Sequence, residues 1–460
     1  MSTTRDRRLT VIVAVIVVAV GLAWLKVARD VLHMDLLIYG IASFMFCVDL
    51  LDALARWRLA RAAPTRESAA ELPPGGPPLP PRPYALVLSV HNMSRHVGDF
   101  TRALGAYRDC TWIVDDSSSD GTALRLRAAG WRCLESRTNL KKPGALKALL
   151  AHLPAEIHTV MVLDPDMTIR GTRSEFETVM RDFQRSGAAA ACPRIHVRPD
   201  GPLVSAQVIE YSLSCCLGRK SLGNTSVTSG VALYRRTALE YALSRHTLSV
   251  YAEDLENALL LLAAGEHIYY EERLNVETEG KRTLPEWFSQ RVGWYFGLLR
   301  AWAGHWNEVR VIARRSPIAF YQYVIYSGVL SIFALPLRLV SLTLLAASLL
   351  NGLAELLGLA IVPTIAAADP LLFATVFVKH VLLMCIVICC ALPASERWRA
   401  LAAVPLYFFY VMSQLLPVAV GYANWLSCRL GGRRLYSDHY DRAPLAVHPR
   451  TAPCIPEATL

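Results

Sequence analysis

The strongest constraint on the fold is that long apolar segments lie at both ends of the chain, on either side of a mixed, charged middle. The segment Leu9–Leu25 carries no charged residue, and a second apolar segment runs from about Leu36 to Ala55. Beyond Arg315 the chain becomes apolar again, with candidate spans at about 317–336, 339–361, 371–392 and 400–427. Because about 20 apolar helical residues cross a bilayer core, the pattern predicts a membrane protein with a water-soluble central domain.

Composition agrees with this prediction and excludes other classes. Hydrophobic residues make up 53% of the chain and charged residues 19%, against about 25% charged in an average soluble domain. The net charge of +10 does not require nucleic acid, because basic residues flank apolar runs on the cytoplasmic side of membrane proteins. Arginines before the first apolar segment and after the second predict a hairpin with both ends in the cytoplasm. We therefore expect a multi-pass protein of the inner or plasma membrane, with no nucleic-acid partner.

The middle of the chain has the pattern of an α/β domain. Short apolar strands at Ala85–Val90, Trp112–Val114 and Thr159–Leu163 alternate with helical stretches, which favours a parallel, Rossmann-like sheet with crossover helices. The predicted domains are an N-terminal transmembrane hairpin (1–60), a Pro-rich linker (61–83), a cytoplasmic α/β domain (84–286), interfacial amphipathic helices (287–315), C-terminal transmembrane helices (316–428) and a cytoplasmic basic tail (429–460).

Two of the predicted strands end in acidic residues. Asp115 and Asp116 follow the strand that begins at Trp112, and Asp164 and Asp166 form an Asp-x-Asp at the end of the strand that begins at Thr159. Ligands of open α/β sheets bind at the carboxyl ends of strands, so the first pair could accept hydrogen bonds from a nucleotide. The second pair could hold a divalent cation through oxygen ligands. An Asx-turn and helix cap at the first pair, or a solvated surface at the second, are the alternatives.

Three further segments carry candidate chemistry. In Asn139–Lys147 a lysine beside a Pro-Gly turn suits a nucleotide diphosphate, although a surface loop has the same composition. In Tyr251–Leu255 an acidic pair could cap a helix or supply a general base. Gln290–Gly297 lies in an aromatic, amphipathic stretch that is typical of an interfacial helix, and Trp294 could also stack against a sugar ring.

Taken together and in this order, the motifs resemble the membrane-embedded family 2 glycosyltransferases, which include cellulose, hyaluronan, chitin and bacterial poly-N-acetylglucosamine synthases. The resemblance covers about residues 85–300. The matching segments are Val114–Thr122 (Asp-Asp-Gly-Ser-x-Asp-Gly-Thr in the family), Asn139–Lys147 (Asn-x-Gly-Lys-Ala-Gly-Ala-Leu-Asn), Leu163–Asp166 (Asp-x-Asp), Ser229–Arg236 (a Gly-rich acceptor-side segment), Ala252–Asp254 (Thr-Glu-Asp) and Gln290–Gly297 (Gln-x-x-Arg-Trp).

The resemblance implies a GT-A type catalytic domain inserted between transmembrane helices, and it assigns roles to residues. By this likeness Asp116 or Asp115 contacts uridine, while Lys142 and Asp164 bind the rest of the nucleotide-sugar. Asp166 binds Mg²⁺ or Mn²⁺, and Asp254 is the catalytic base. The acceptor-binding residues it implies are Glu253, Gln290 and Trp294.

The same resemblance implies an inverting enzyme that uses a UDP-sugar of the UDP-GlcNAc or UDP-glucose type. Such an enzyme extends a polysaccharide and moves it through its own membrane channel. The alternative is a non-processive transferase that adds a single sugar to a membrane lipid. Partners would then be the donor, a glycan or lipid acceptor and membrane lipids. The sequence names neither the sugar nor any accessory subunit.

Several positions depart from the family pattern. Gly293 replaces the Arg that precedes the Trp, so we expect a gap beside Trp294 and a missing contact to the diphosphate. The opening strand reads Ser89-Val-His-Asn-Met93, where a Tyr-Asn-Glu pattern is usual, and Lys141 replaces the usual Gly. The cations that could compensate are Arg433 and Arg434, which follow Gly431-Gly432 and which we expect to lie on a mobile loop, or else Arg291, Lys281 or Arg282.

Overall fold

A computed structural model describes residues 36–62, 82–248, 251–359, 370–431 and 436. The first apolar segment, most of the Pro-rich linker and the two tail arginines, Arg433 and Arg434, lie outside these residues. The predictions made for them therefore stay predictions.

The described residues form eight strands and fourteen α-helices, with short 3₁₀ and π segments between them. The strands are β1 (Tyr84–Val90), β2 (Thr111–Asp115), β3 (Arg132–Glu135), β4 (Thr159–Leu163), β5 (Thr168–Ile169), β6 (Ala190–Arg198), β7 (Ala232–Arg235) and β8 (Ile268–Glu279). The helices are α1 (Leu36–Ala62), α2 (Val97–Leu104), α3 (Thr122–Ala128), α4 (Lys141–Leu150), α5 (Arg173–Arg185), α6 (Gly201–Leu213), α7 (Arg236–Arg245), α8 (Glu253–Ala263), α9 (Leu284–Gly304), α10 (Trp306–Ala313), α11 (Pro317–Phe320), α12 (Ser331–Leu357), α13 (Pro370–Ala391) and α14 (Ala394–Arg429).

The strands form one mixed sheet in the order β3-β2-β1-β4-β7-β6-β8-β5. The first four strands are parallel, with β1 paired to both β2 and β4. The other half is mixed, because β7 runs antiparallel to β4 and β6, while β8 runs parallel to β6. The prediction of a Rossmann-like α/β sheet is therefore confirmed, but the prediction that the sheet is parallel is correct only for β3, β2, β1 and β4. The antiparallel pairing places the carboxyl end of β4 beside the beginning of β7.

Both faces of the sheet are covered, as the near-continuous apolar strands require. Leu86 and Leu88 of β1 enter a core on one face, whereas Ala85 and Val87 enter a second core on the opposite face. Residues alternate between the two sides of a strand, so one short apolar run contributes to both cores. The strand predicted at Thr159–Leu163 has the same bounds in the structure.

The apolar region after Arg315 differs from the prediction. Residues 317–357 are helical without interruption, through α11, the π segment Tyr321–Leu330 and α12, so the predicted break between spans at 336 and 339 is wrong. Pro336 lies inside α12. Because proline has no N–H, a carbonyl in the preceding turn loses its usual helical partner, and the π geometry of the turns before α12 provides other partners. Of the described helices, two are long and apolar enough to cross a membrane, Leu371–Ala391 and Ala394–Arg429, by a criterion that buried core helices also meet.

The chain divides into two compact units. One comprises Met1–Leu54 and Leu337–Leu383, and the other comprises Ala55–Pro336 and Met384–Leu460. Within the first unit, Arg338 faces Asp49 at 3.9 Å. The second unit contains the whole sheet together with α9 and α14, and therefore every described residue of the candidate site below.

Helices α9 and α14 pack closely within this second unit. A Cβ atom at Gly421 of α14 would lie 2.9 Å from the carbonyl oxygen of Val292 in α9, so only glycine permits this approach. Helix α9 begins with a capping box, in which Thr283 and Glu286 exchange side-chain and backbone hydrogen bonds. The helix that carries Gln290 and Trp294 is thus capped at its start and packed against α14 near Val292.

Candidate active site

The first acidic pair lies buried at the end of β2, and its two carboxylates have different partners. Asp115 Oδ1 accepts a hydrogen bond from the backbone N–H of Ser118 at 2.9 Å, within its own turn. Asp116 Oδ1 accepts one from the N–H of Leu140 at 2.6 Å, at the start of α4. Burial raises the pKa of Asp116 against the opposing effect of the Leu140 N–H. Asp115 thus organises its own turn, as the structural alternative supposed, whereas Asp116 ties β2 to the lysine segment.

The next helix has Gly121 at its N-cap position, and the carboxylate that binds its first backbone N–H is that of Asp120. Its Oδ1 accepts from the N–H and the hydroxyl of Thr122 at 3.1 and 2.6 Å, and its Oδ2 accepts from the N–H of Ser94 at 3.0 Å. This carboxylate therefore joins the start of α3 to the segment after β1. Asp116 is consequently not needed as the cap of α3.

Lys142 brings the two acidic regions together. Its Nζ lies 2.6 Å from Asp164 Oδ1 and 3.2 Å from Glu253 Oε1, and it donates to the carbonyl oxygen of Gly230 at 3.2 Å. Burial opposes the charged form, but the carboxylates of Asp164 and Glu253 outweigh it and raise the pKa of Lys142. The prediction for the lysine segment left a surface loop open; the structure instead places Lys142 at the centre of the carboxyl edge of the sheet.

Gly230 is required where β4 and β7 meet. A Cβ atom there would lie 2.4 Å from Asp164 Oδ2 and 3.5 Å from Lys142 Nζ. The Gly-rich segment before β7 therefore allows its backbone to approach the Asp164–Lys142 pair. This gives a physical reason for a glycine in the segment that the sequence comparison placed on the acceptor side.

Asp166 differs from Asp164 in its surroundings. It is exposed, and its Oδ2 accepts from the Thr278 hydroxyl at 3.3 Å. No three His, Cys, Asp or Glu side chains within the described ranges are grouped so as to hold a metal ion by themselves. The donor set fits a hard divalent cation in oxygen chemistry, with two carboxylates of one turn, and leaves its remaining positions to phosphate oxygens and water.

The acidic pair before the apolar helix begins α8. Glu253 faces Lys142, and Asp254 Oδ1 accepts from the N–H of Leu255 at 2.8 Å. Burial, and then the charge of Glu253, raises the pKa of Asp254 to about 6, against the opposing effects of the Leu255 N–H, Lys142 and Arg219. A carboxylate with this pKa is close to the value that suits a general base near neutral pH.

Of the three predicted acceptor residues, Gln290 and Trp294 lie on α9, whereas Glu253 begins α8 and faces Lys142. Trp294 is 41% exposed, and the Arg291 guanidinium lies 3.9 Å from its ring centroid. Gln290 is partly buried and accepts from Arg291 Nη1 at 3.2 Å. The exposed face of Trp294 is available for a ring, and Arg291 fixes the orientation of the indole from behind.

Arg291 is wrong as a candidate for the diphosphate cation. It is fully buried, and its Nη2 donates to Glu210 Oε2 at 2.5 Å and to the Tyr410 hydroxyl at 2.9 Å. Gln414 donates to the other oxygen of Glu210 at 2.9 Å. Arg291 therefore joins α6, α9 and α14 through a buried network and has no free route to a nucleotide.

The prediction of a gap at Gly293 is also wrong. A Cβ atom there would lie 2.3, 2.7 and 2.9 Å from three ring carbons of Tyr251. The space beside the glycine is filled by that ring, which comes from the turn before α8. A larger side chain at position 293 cannot enter without displacing Tyr251.

Among the other candidate cations, Arg282 pairs with Asp200 at 2.7 Å on the surface. Lys281 lies in the charge environment of Asp166. Arg219, at the end of the π segment Ser214–Arg219, lies in that of Asp254. Sequence reasoning missed Arg219, because a single arginine in an apolar helical run carries no motif.

Comparison with known proteins finds only distant similarity. No protein-family model matches the chain, and no curated protein matches it. A mannosyltransferase from Pyrobaculum calidifontis in complex with GDP-Man and Mn²⁺ shares 16% identity over 84% of this chain and 98% of its own, with a TM-score of 0.47.

Two other solved structures are less similar to this chain. Glucosyl-3-phosphoglycerate synthase from Mycobacterium tuberculosis, in complex with Mn²⁺, UDP-glucose and phosphoglyceric acid, shares 18% identity over 48% of this chain and 79% of its own, with a TM-score of 0.34. GalNAc-T7 with UDP, GalNAc and Mn²⁺ shares 10% over 44% of each chain, with a TM-score of 0.32. Because all three TM-scores are below 0.5, the similarity assigns no activity to this chain.

Proposed function

We propose that the chain is an inverting glycosyltransferase that uses a UDP-sugar of the UDP-GlcNAc or UDP-glucose type. The observation that carries the proposal is the position of Lys142, whose Nζ lies within 3.2 Å of carboxylates from both Asp164 and Glu253. These residues come from three separate segments. Transfer of a sugar from a sugar nucleotide needs three kinds of group. They are a strand end that binds the nucleotide, a lysine, and an acidic pair that includes a base of raised pKa.

The proposed step is a single displacement at the anomeric carbon. The acceptor hydroxyl loses its proton to a carboxylate oxygen of Asp254, and its oxygen forms a bond to the anomeric carbon. The bond from that carbon to the diphosphate oxygen breaks on the opposite face, and the electron pair leaves with UDP. The configuration is therefore inverted, and Lys142 places a positive charge where negative charge grows.

Asp166 and Asp164 are the residues that would hold Mg²⁺ or Mn²⁺. When bound, such an ion acts as a Lewis acid that neutralises charge on the diphosphate. The protein's own part is to keep Asp164 oriented through Lys142 and to leave Asp166 exposed. The Asp166→Ala variant should weaken binding of UDP in the presence of Mn²⁺ but not in EDTA, measured by calorimetric titration. Equal affinity of both proteins with Mn²⁺ would place the metal elsewhere.

For the acceptor we propose a growing polysaccharide, extended at the membrane and passed through a channel of the transmembrane helices. The exposed face of Trp294 supports a sugar-ring subsite. Helix α9, which carries Trp294, packs on α14, and α14 is long and apolar enough to cross a bilayer. The acceptor subsite would then lie next to the membrane.

A second candidate is addition of a single sugar to a membrane lipid. It is favoured by Gly293, where the ring of Tyr251 fills the space that the family's Arg would use. Polymer synthases carry that Arg, so its absence points to a different acceptor. The two candidates differ in the acceptor and therefore in the product, which is a polymer in the first and a lipid with one sugar in the second.

The function is tested by screening UDP-sugars for UDP release in membranes that contain the protein. Linkage-specific hydrolases then digest the product. A radiolabelled polymer supports the first acceptor, and a labelled lipid extracted into organic solvent supports the second. If no UDP-sugar releases more UDP with the wild type than with Asp254→Asn, the proposal fails.

We also propose that residues 66–315 face the cytoplasm, where sugar nucleotides are made. The Glu71→Cys variant, in a background without reactive native thiols, should be labelled by an impermeant thiol reagent only after cell lysis. Labelling in intact cells would show that position 71 lies outside the cytoplasm and would contradict the proposed topology.

A further inference from the structure

We propose that Tyr251 is a positioning residue for the acidic pair Glu253–Asp254, and that Gly293 and Gly297 are glycines so that its turn can lie against α9. The proposal rests on the proposed function in one respect, that Asp254 is the base. It replaces the expectation that Gly293 leaves a space for a substitute cation.

The turn that carries Tyr251 makes closer contact with α9 than any side chain there would allow. At Gly293 a Cβ atom would lie 2.3 Å from the Tyr251 ring. At Gly297, one helical turn later, it would lie 2.8 Å from Tyr251 Cβ and 2.9 Å from Ala252 Cβ. Real Cβ contacts are not this short, so both positions require glycine as long as the turn stays in place.

The backbone of this turn is strained. Ala252 has φ +58° and ψ +33°, a left-handed conformation that costs a residue with a Cβ about 1–2 kcal/mol. Such conformations persist only where the surrounding structure enforces them, and they cluster at functional sites. Here the strained residue comes immediately before Glu253, so its conformation sets the direction in which the acidic pair leaves the turn.

Three hydrogen bonds hold the turn and the residues next to it. Arg300, on α9, donates through Nη2 to the carbonyl oxygen of Tyr251 at 2.6 Å and through Nη1 to the Thr247 hydroxyl at 2.6 Å. The hydroxyl of Thr228, from the segment before β7, donates to the carbonyl oxygen of Asp254 at 2.7 Å. Helix α9 therefore holds the turn through its glycine face and its arginine, and Thr228 holds the residue that follows.

A displaced Tyr251 would rotate the first turn of α8 and move the carboxylates of Glu253 and Asp254. Displacement of a catalytic group by about 1 Å can cost about 100-fold in rate. Donor binding should change little, because Asp116 and Asp166 are held by other segments. The expected signature is thus a lower kcat at nearly constant donor KM.

The test uses two glycines of the same helix. Gly293→Ala places a methyl group against the Tyr251 ring, whereas Gly304→Ala is the matched control, since no atom lies within 4 Å of a Cβ there. We expect kcat for transfer to fall about 10- to 100-fold in Gly293→Ala, with donor KM within about twofold. Gly304→Ala should behave as wild type, and Tyr251→Phe, which keeps the ring, should retain most activity.

A double-mutant cycle separates positioning from general damage. Tyr251→Ala alone should also lower kcat, and adding Gly293→Ala to it should cause no further loss, because the methyl group then meets no ring. The proposal would be overturned if the loss of kcat in the double variant equalled the product of the losses in the two single variants, or if Gly293→Ala kept the wild-type kcat.

A readout independent of activity keeps the two proposals apart. Hydrogen exchange at the Leu255 amide, which donates to Asp254 Oδ1, should be faster in Gly293→Ala than in Gly304→Ala. If the wild type releases no UDP from any donor, the glycosyltransferase proposal fails while this exchange result still decides the role of Tyr251. Equal exchange in both variants would exclude that role.

Discussion

The two halves of the sheet hold their site residues in different ways. In the parallel half, β3-β2-β1-β4, the carboxylates of Asp115 and Asp116 are held by nearby backbone N–H groups. Beside the mixed half, β7-β6-β8-β5, the acidic pair at the start of α8 has one local backbone contact, from the Leu255 N–H to Asp254, and otherwise depends on Lys142 and on the close contacts of Tyr251 with α9. The parallel half is therefore specified locally, whereas the mixed half depends on the packing of α8 against α9.

The difference determines what each half tolerates. A strand-end carboxylate bound by backbone N–H groups keeps its place while the strand keeps its register. An acidic pair on a strained turn keeps its place only while α9 stays in contact, and α9 in turn is fixed to α14 through Arg291 and Tyr410. The donor side should thus survive substitutions that disable the acceptor side.

The largest effect should come from Asp254→Asn, which removes the base and keeps its size. Transfer should fall about 10²- to 10⁴-fold, while affinity for UDP stays near the wild-type value, measured by UDP release and by titration. The exposed Asp99 provides the control variant Asp99→Asn. Wild-type turnover in Asp254→Asn would show that Asp254 is not the base.

The same residue predicts a pH dependence. Because Asp254 acts ionised and its pKa is raised to about 6, the wild-type kcat/KM should fall by about tenfold per pH unit below that value. Above it, this group should leave the rate unchanged. An acidic limb centred near the usual value of an exposed Asp, about 4, would show that the carboxylate in use is a different one.

Glu256 tests the packing of the mixed half through the stability of the protein. It is fully buried; burial opposes ionisation, but hydrogen bonds from His305 and Thr247 and the charge of His246 lower its pKa to about 2. Against a usual value near 4.5, this corresponds to about 3 kcal/mol of stability. That stability is present above about pH 4.5 and is lost as the pH falls toward 2.

The Glu256→Gln variant should therefore lower the free energy of unfolding by about 3 kcal/mol at neutral pH, measured by urea unfolding in detergent. The difference from wild type should shrink below pH 4.5. Glu240→Gln, at an exposed pair with Arg236, is the control and should change stability by less than about 1 kcal/mol. If the difference in the free energy of unfolding between the two proteins did not depend on pH, the loss of stability would come from changed packing and not from the lost charge of Glu256.

Lys142 links the two halves, so its loss should affect both. In Lys142→Met, Asp164 and Glu253 face each other without the cation between them. Truncating one partner of a buried charge pair costs at least about 2 kcal/mol, so kcat/KM should fall at least about 30-fold, with donor KM raised and kcat lowered together. Lys147→Met, at an exposed position of the same helix, should leave both constants unchanged. A change in KM alone would confine Lys142 to the donor side.

Much of the parallel half could be predicted from the sequence, because its signals are local. The strand at Thr159–Leu163 and the acidic residues at the strand ends follow from patterns within ten residues. The mixed half could not be predicted in the same way. The contact of Tyr251 with Gly293 and the burial of Arg291 against Glu210 and Tyr410 join residues far apart in the chain, and neither has a local signature.

The smallest predicted effect compares one left-handed residue in each half. Lys141 has φ +62° and Ala252 has φ +58°, and the glycosyltransferases that the sequence resembles usually have Gly at the position of Lys141. Lys141→Gly removes a Cβ penalty of about 1–2 kcal/mol, but Gly has more freedom in the unfolded chain, which costs about 0.4–1 kcal/mol. The net gain should be about 0.5–1 kcal/mol in the free energy of unfolding, with kcat unchanged, because the Leu140 N–H still binds Asp116.

Ala252→Gly relieves the same strain but gives up the contact of its Cβ with Gly297 and loosens the turn before the acidic pair. Its stability should therefore change little while kcat falls. If both variants gain stability and keep kcat, the strain at Ala252 has no part in positioning Asp254, and the two halves of the site are held alike.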